Sequence, residues 1–377
     1  VDFMLFVDLP AQYRNLKPRI DRRIQTVLDH GQFIMGPEVS ELEASLANYL
    51  GVKNAITCAN GTDALVLALM SLDIGEGDAV FVPTFSFFAS AEAISLLRAT
   101  PVFVDSDPVT FNICPEDLEE KIQDVLSEGR LDIKAVMAVN LFGMPADYPM
   151  LRRVAKKYGL KIVEDSAQGF GGSIGSEKAC SLGDIATTSF FPAKPLGCYG
   201  DGGAVFTNDD GVAQLIKSLR VHGQGKSKYD NIRVGLNSRL DTIQAAILLE
   251  KLAIFPDELE ARARVAAKYD SGLSGILSTP QVPINYISSW AQYTLVAKSK
   301  THRIQLMNHL KEKNIPSEIY YQKCIHDQPV YRMVEGRYGS LERAEKLSER
   351  VFSLPMHPYL GDTMIENVIR VLSDIND

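Results

Sequence analysis

The chain of 377 residues is 46% hydrophobic, which is enough apolar material for a large folded core. Its 39 lysine and arginine residues are outnumbered by 47 aspartate and glutamate residues, so the net charge is −8 and a basic footprint for non-specific nucleic-acid binding is excluded. The apolar runs are shorter than the roughly 18 residues expected of a membrane span.

Five cysteines are scattered along the sequence without a Cys-x-x-Cys pair: Cys58, Cys114, Cys180, Cys198 and Cys324. An odd, unpaired set argues against a disulfide framework and against a zinc site. The six histidines show no spacing typical of metal ligands, so no metal is predicted. We expect a protein of the reducing cytoplasm.

From about residue 50 to 206, short β-rich runs alternate with helical patterns. The predicted strands are Asn54–Cys58, Ala79–Val82, Pro101–Val104, Ala135–Val139, Lys161–Glu164 and Ile185–Phe190. The predicted helices between them are Thr62–Leu72, Ala89–Leu97, Pro115–Leu126 and Tyr148–Tyr158. Such alternation is typical of an α/β fold with one mainly parallel sheet covered by helices on both faces.

After Asn237 the pattern changes to long helical segments. Two helices are predicted at Ser238–Leu252 and Glu258–Leu273, then a strand near Ala291–Val296 and helices near Arg303–Lys313 and Gly339–Arg350. We therefore predict a large domain over residues 1–255, which includes an N-terminal arm, and a smaller C-terminal α/β domain over residues 256–377.

A polar turn, Ala59-Asn60-Gly61-Thr62, lies between a predicted strand and a predicted helix. A helix N-terminus presents free backbone N–H groups and the positive end of the helix dipole, and both favour phosphate binding. Gly61 and Thr62 are therefore candidates for a phosphate site. An ordinary helix cap is the structural alternative.

The strand Lys161–Glu164 runs directly into Asp165, at the end of the strand where open α/β sheets bind ligands. A carboxylate in that position favours the protonated form of a neighbouring ring nitrogen, because opposite charges stabilise each other. A helix cap or loop carboxylate is the structural alternative.

Lys194 lies between Pro192 and Pro195 and precedes the turn Gly200-Asp201-Gly202-Gly203. A lysine confined in this way loses water, and desolvation lowers the pKa of its amine and makes it a usable nucleophile or base. The structural alternative is a solvated loop lysine.

Three phenylalanines, Phe85, Phe87 and Phe88, follow a further predicted strand. An exposed aromatic side chain at a strand end can stack on a flat cofactor ring. We expect one of the three to be available for stacking and the other two to pack in the core.

In this chain order the segments resemble the DegT/DnrJ/EryC1/StrS sugar aminotransferases, which have the aspartate aminotransferase-like fold of type I pyridoxal-phosphate enzymes. The resemblance runs from Phe33-Ile34-Met35-Gly36-Pro37-Glu38 to Ser353-Leu354-Pro355-Met356-His357-Pro358. Its most specific part is the Ser189-x-x-x-x-Lys194 arrangement that follows Asp165.

The resemblance implies a pyridoxal 5′-phosphate (PLP) cofactor, with Lys194 as the residue that holds it covalently and later moves the proton. Asp165 is implied to pair with the ring nitrogen. The other implied cofactor contacts are Gln168 near the ring hydroxyl, Phe87 on the ring face, Gly61, Thr62 and Ser189 at the phosphate, and Asn237, donated to the phosphate across a homodimer interface with shared active sites.

The segments Phe190–Gly203 and Val234–Asp241 are similar to those of the subgroup that acts on nucleotide-linked 3-keto sugar uronates. This likeness implies amino transfer from glutamate to UDP-2-acetamido-2-deoxy-3-oxo-glucuronate, in the biosynthesis of surface polysaccharides such as O-antigen and lipopolysaccharide. Arg239 is then a candidate partner of a carboxylate or phosphate, with an exposed arginine at a helix start as the alternative.

Tyr320 and His326 are further candidates for substrate contacts. The run Tyr320-Tyr321-Gln322 departs from the histidine-tyrosine-proline run of many family members, which leaves the acceptor open. A 4-keto or 3-keto dTDP- or UDP-deoxysugar is the alternative acceptor.

A catalytically silent PLP-binding regulatory protein is the alternative from a different class. The intact pair of Asp165 and Lys194 favours the enzyme. Lys194 also argues against the dehydratases of the family, in which a histidine replaces this lysine.

Overall fold

The computed structural model describes residues 4–227, 229–332 and 338–375. The helices in these ranges are α1 (Leu9–His30), α2 (Pro37–Leu50), α3 (Gly61–Ser71), α4 (Ala89–Leu96), α5 (Pro115–Glu128), α6 (Tyr148–Tyr158), α7 (Asp210–Leu219), α8 (Thr242–Leu273), α9 (Lys300–Glu312), α10 (Glu342–Arg350) and α11 (Asp362–Ser373). The strands are β1 (Asn54–Cys58), β2 (Asp78–Pro83), β3 (Thr100–Val104), β4 (Asp132–Val139), β5 (Lys161–Asp165), β6 (Ser173–Ile174), β7 (Glu177–Lys178), β8 (Ile185–Ser189), β9 (Gly203–Thr207), β10 (Tyr286–Ile287), β11 (Tyr293–Val296) and β12 (Val351–Leu354).

Local sequence signals set several helix ends. Helix α5 begins with Pro115, whose fixed φ suits the first turn, and ends before Gly129, which adopts a left-handed conformation with φ 63°. The carboxylate of Asp147 accepts a hydrogen bond of 3.1 Å from the Met150 N–H and so caps α6. These signals explain why the sequence alone predicts both helices closely.

A seven-stranded sheet in the order β1-β9-β8-β5-β4-β2-β3 forms the centre of the described structure. The pairs β2–β3, β2–β4, β4–β5 and β5–β8 are parallel, as predicted. Strand β9, which the sequence pattern did not predict, runs antiparallel to both β8 and β1. Two reversals leave β1 parallel to β8, so their carboxyl ends lie at the same edge of the sheet.

Both faces of the sheet are covered, as predicted. Successive residues of β2 alternate between two apolar clusters, because side chains point to opposite faces of a strand: Val80 packs with helices α3, α4 and α7, and Phe81 packs with α5 and α6. Helices α2 and α8 cover the β1, β8 and β9 end of the sheet.

The C-terminal region has a core of its own. Strands β11 and β12 pair antiparallel, and apolar residues from α9, α11 and the second half of α8 pack around them. The two helices predicted on either side of residue 255 form one helix, α8, which continues through Pro256. Packing against α1, α2 and α11 stabilises this helix despite the missing proline N–H. The domain boundary at residue 255 therefore falls inside a helix and stays a prediction.

Among the described residues, no helix combines the length and the apolar character that crossing a bilayer would require.

Candidate active site

The candidate residues gather at one edge of the central sheet. The chain leaves β1, β2, β4, β5 and β8 at this edge, because these strands point the same way. The loops that follow them carry Gly61, Phe87, Gln168 and Lys194, and Asp165 is the last residue of β5. This edge is where parallel α/β sheets bind ligands.

Two of the predicted phosphate residues, Gly61 and Ser189, lie side by side. A Cβ atom added to Gly61 would lie 2.7 Å from Cβ of Ser189, so only glycine allows the N-terminus of α3 to approach the end of β8 this closely. The Asn60 side chain accepts a hydrogen bond of 2.8 Å from the Asp63 N–H and caps α3. The N–H groups of Gly61 and Thr62, in the first turn of α3, have no acceptor within the helix. The turn is thus a helix cap that also leaves two backbone N–H groups available to an anion.

Asp165 is buried, with 4% of its surface exposed. Its Oδ1 accepts a hydrogen bond of 3.1 Å from the Ala167 N–H, and its Oδ2 accepts one of 2.9 Å from the Ser90 hydroxyl. Burial raises the pKa of this carboxyl, while the two hydrogen bonds and the positive charge of Lys194 oppose the rise. A cationic ring nitrogen beside it would favour the ionised form further.

The neighbouring carboxylate, Glu164, is used differently. Its oxygens accept hydrogen bonds from the backbone N–H groups of Cys180 (2.6 Å), Leu182 (2.7 Å) and Gly183 (3.1 Å), so it ties that loop to β5. The Asn140 amide donates to it as well, at 2.8 Å. The oxygens of Glu164 are therefore occupied by hydrogen bonds from within the protein. Asp165 is the carboxylate of the pair that is suited to bind a ligand.

Lys194 lies within electrostatic range of Asp165, although the two residues are 29 positions apart in sequence. Desolvation lowers the pKa of the Lys194 amine, and the negative charge of Asp165 opposes that effect. The loop that carries Lys194 is closed by two backbone hydrogen bonds. The Lys194 N–H donates to the Phe191 carbonyl (2.9 Å), and the Cys198 N–H donates to the Phe190 carbonyl (2.8 Å). An amine with a lowered pKa is a better nucleophile and base near neutral pH.

Gln168 is buried beside this pair and connects two parts of the chain. Its Oε1 accepts a hydrogen bond of 2.7 Å from the Phe142 N–H, and its Nε2 donates one of 2.9 Å to the Tyr321 hydroxyl. The ring of Tyr321 lies 6.1 Å from that of Phe87. Tyr321 is a further candidate site residue, which the sequence pattern did not indicate. The only signal for it was its place within the departing run Tyr320-Tyr321-Gln322.

The three phenylalanines divide as expected. Phe85 is fully buried and Phe88 is partly buried against Tyr331, whereas 55% of Phe87 is exposed. Phe87 is therefore the ring available for stacking.

Asn237 and Arg239 lie in the segment that leads into α8. Asn237 is exposed, and the hydroxyl of the next residue, Ser238, accepts a hydrogen bond of 3.1 Å from the Ala59 N–H, which fixes the segment beside the α3 turn. Arg239 is half-buried. Their predicted contacts with phosphate or substrate stay predictions.

The two remaining candidates lie near Tyr321. Tyr320 is half-buried, with its ring 6.1 Å from that of Phe6. His326 is only 1% exposed: its Nδ1 is 2.5 Å from the Thr84 hydroxyl and its Nε2 is 3.2 Å from Oε1 of Glu345. These contacts give His326 a role in fixing its own loop to the end of β2, and its predicted substrate contact is untested. One imidazole nitrogen of His326 and one carboxylate oxygen each of Asp327 and Glu345, which are atom types that bind metals, lie within 4.8 Å of one another.

The residues at the sheet edge fit a PLP cofactor. The α3 cradle suits its phosphate, Asp165 suits its ring nitrogen, Lys194 suits its aldehyde, and Phe87 offers a ring face. Within this fold, a desolvated lysine amine in electrostatic range of a buried carboxylate, beside a helix N-terminus suited to a phosphate, is the arrangement of a PLP-dependent enzyme of fold type I.

Comparisons with known proteins agree. The DegT/DnrJ/EryC1/StrS aminotransferase family matches residues 14–373. The chain is 45% identical to a UDP-2-acetamido-2-deoxy-3-oxo-D-glucuronate aminotransferase of Pseudomonas aeruginosa, over 98% of this chain and 99% of that protein. It superposes with a TM-score of 0.96 on the crystal structure of a DegT DnrJ EryC1 StrS aminotransferase from Brucella abortus, at 47% identity and 99% coverage of both chains.

A third relative carries a cofactor. The Bacillus subtilis NtdA structure with bound cofactor PMP matches with a TM-score of 0.90 at 26% identity, over all of this chain and 85% of that one. The protein belongs to the DegT/DnrJ/EryC1/StrS aminotransferase family and is a PLP-dependent aminotransferase. The predicted family, fold class, cofactor and enzyme class are confirmed.

Proposed function

We propose that the protein transfers an amino group from glutamate to a nucleotide-linked keto sugar, with UDP-2-acetamido-2-deoxy-3-oxo-glucuronate as the preferred acceptor, in surface-polysaccharide (O-antigen) biosynthesis. The observation that carries the proposal is the 45% identity, over nearly the full length of both chains, to the P. aeruginosa aminotransferase for that sugar. The geometry at the sheet edge supports the reaction type independently of the name of any relative.

Bound PLP supplies an electron sink that stabilises negative charge developing at the carbon bearing the amino group. We assign the removal and return of the proton at that carbon to Lys194, whose desolvated amine acts first as general base and then as general acid. Asp165 keeps the ring nitrogen protonated, Gln168 orients the ring hydroxyl, and Phe87 covers the ring face. Gly61, Thr62 and Ser189 hold the phosphate.

Arg239 is proposed to bind the carboxylate of the sugar. It follows Asn237 by two positions in a segment fixed to the α3 turn through Ser238 and Ala59, so it lies on the same side of the molecule as the phosphate cradle. A guanidinium can donate two parallel hydrogen bonds to the carboxylate of a uronate sugar. The neutral hydroxymethyl group of a non-acidic sugar cannot accept such a pair.

The working enzyme is proposed to be a homodimer in which Asn237 of one chain reaches the cofactor phosphate of the other. The exposed position of Asn237 supports this role. Apolar side chains near it are exposed as well, including Ile34 (45%), Ile232 (56%) and Val234 (87%), and the backbone of Ile34 pairs with that of Asp241. Exposed apolar patches of this kind mark interaction surfaces.

We also propose that the enzyme works in the cytoplasm. The five cysteines are all free and buried, which suits a reducing compartment.

The acceptor is tested by incubating the PLP-loaded protein and glutamate with a panel of 3-keto and 4-keto sugars linked to UDP or dTDP, with and without a C6 carboxylate. We expect the highest kcat/KM for the UDP-linked 3-keto uronate. A preference for a dTDP- or 4-keto sugar would overturn the proposed acceptor but not the reaction type.

Two variants complete the experiment. Lys194→Ala should lose both the yellow absorbance of the lysine-bound cofactor and turnover. Arg239→Gln should reduce kcat/KM for the uronate by at least about tenfold, as expected for the loss of a charge-assisted contact, and leave the neutral sugar unaffected. A protein that binds PLP but aminates no sugar of the panel would favour the regulatory alternative.

A further inference from the structure

The carboxylate of Asp165 is held by a short chain of two serines. The Ser90 hydroxyl donates a hydrogen bond of 2.9 Å to Oδ2 of Asp165, and the Ser86 hydroxyl lies 3.2 Å from the Ser90 oxygen. All three residues are buried, with 1% of Ser90, 3% of Ser86 and 4% of Asp165 exposed. The mechanism described above uses neither serine.

The direction of the chain follows from proton counting. A serine hydroxyl has one hydrogen to donate, and an ionised carboxylate can only accept, so the Ser90 hydrogen is directed at Oδ2 of Asp165. Ser86 must therefore be the donor in its contact with Ser90. Both hydroxyl dipoles then point their positive ends toward Asp165, and consecutive hydrogen bonds of this kind strengthen each other.

The same stretch of chain also presents the stacking ring. The Ser90 N–H donates a hydrogen bond of 3.2 Å to the carbonyl of Phe87 at the start of α4. One turn of backbone thus fixes both the exposed ring of Phe87 and the hydroxyl that binds Asp165. A shift of α4 would move the two together.

We propose that Ser90, supported by Ser86, is a positioning residue that holds the carboxylate of Asp165 ionised and oriented toward the ring nitrogen of the cofactor. This inference rests on the proposed role of Asp165. Ser90 touches neither cofactor nor substrate in this assignment and acts only through Asp165.

Energetically, Ser90 counters the cost of burying Asp165. Burial raises the pKa of the carboxyl, and the hydrogen bond from Ser90 is one of the interactions that lower it. The titratable groups that interact with Asp165 from the surrounding elements are Lys194, Tyr148, Cys180 and Tyr321. A change at Ser90 leaves all four in place, so its effect can be separated from theirs.

The test is titration of apo-protein with PLP over a range of pH, which needs no turnover. Ser90→Ala should weaken PLP binding by about tenfold, the lower end for a hydrogen bond to a charged group. Ser86→Ala should weaken it less, by about threefold, because its dipole acts through Ser90. Ser90→Thr, which keeps the hydroxyl, should restore most of the affinity.

A matched control lies on the same helix. The Ser95 hydroxyl is 2.9 Å from the hydroxyl of Tyr331, away from Asp165, and Ser95→Ala should leave the PLP affinity unchanged.

The pH dependence of PLP affinity is a second measurement, which a merely structural role of Ser90 would not change. Without the Ser90 donor the carboxyl takes up a proton at higher pH, so the loss of PLP affinity on acidification should begin at higher pH in Ser90→Ala.

Two further variants separate failure of this inference from failure of the proposed site. If Asp165→Asn binds PLP as tightly as the native protein, the role of Asp165 is wrong. If Asp165→Asn weakens binding but Ser90→Ala does not, only the inference about Ser90 is overturned. In the double variant, Ser90→Ala should cause no further loss beyond that of Asp165→Asn, because the serine acts through the carboxylate. Additive losses would contradict the proposal.

Discussion

The ammonium of Lys251, on α8, donates a hydrogen bond of 2.6 Å to the carbonyl oxygen of Gly197, three residues after Lys194. The same ammonium lies 4.0 Å from the centre of the Tyr199 ring, and only 1% of the residue is exposed. A buried cation from a distant helix therefore fastens the loop that carries the candidate catalytic lysine.

The burial of Lys251 predicts a specific dependence of stability on pH. Desolvation lowers the pKa of its amine from 10.5 to about 8, against the opposing charges of Glu258 and Cys198. Below pH 8 both the folded and the unfolded chain hold the proton. Between about 8 and 10.5 the folded chain has lost it and the unfolded chain keeps it, so the free energy of unfolding rises with pH, by up to ~3 kcal/mol.

Denaturant unfolding of apo-protein at pH 7, 9 and 10 measures this contribution, with Lys251→Met as the reference. The stability of the native chain relative to the variant should increase across this range. Lys268→Met, at an exposed position of the same helix, controls for the loss of a positive charge. A difference between native and Lys251→Met that is constant with pH would refute the prediction.

Tyr321→Phe should weaken PLP binding severalfold, since it removes the acceptor of the Gln168 Nε2 hydrogen bond and leaves a buried donor unpaired. Apo-protein titration with PLP measures the loss. Tyr320→Phe is the matched control: as a candidate substrate contact, Tyr320 should affect KM for the sugar and not the affinity for PLP. The reverse pattern would exchange the roles of the two tyrosines.

Gly61→Ala should weaken PLP binding by at least about tenfold, because the added Cβ would lie 2.7 Å from Cβ of Ser189 and force the phosphate cradle apart. Gly75→Ala, where the added Cβ would lie 4.0 Å from the Leu97 carbonyl oxygen, should have little effect. Binding of pyridoxal, which lacks the phosphate, separates the causes. If Gly61→Ala weakens pyridoxal as much as PLP, the site of the phosphate is elsewhere.

Mixing inactive Lys194→Ala chains with inactive Asn237→Ala chains should restore part of the activity if each active site uses residues of two chains. A mixed dimer would contain one site with both residues intact, so recovery of up to about a quarter of the native activity is expected from random exchange of equal amounts. Exchange is verified with differently tagged chains. Verified exchange without recovery would show that Asn237 serves its own chain.

Much of the large domain could be predicted locally. Strand β1 and helix α6 have the predicted bounds, since β-branched runs, an aspartate cap and a terminal glycine act within a few residues. Strand β9 was missed because the glycine-rich turn before it hides the start of the strand. The long helix α8 was divided because Pro256 disfavours a helix, and tertiary packing overrode that preference.

By itself, the sequence determined the class of the enzyme, through the resemblance of its segments to the DegT/DnrJ/EryC1/StrS family. Lys194 between two prolines, Asp165 at the end of a strand and a polar helix start at Gly61 are local features that can be recognised before any fold is known. Only the tertiary structure decided that Ser90 serves Asp165, that Tyr321 and not Tyr320 bonds to Gln168, and that Lys251 secures the lysine loop. The physical reason is that each of these contacts joins residues more than 50 positions apart, so it depends on how the whole chain closes and not on any short-range preference.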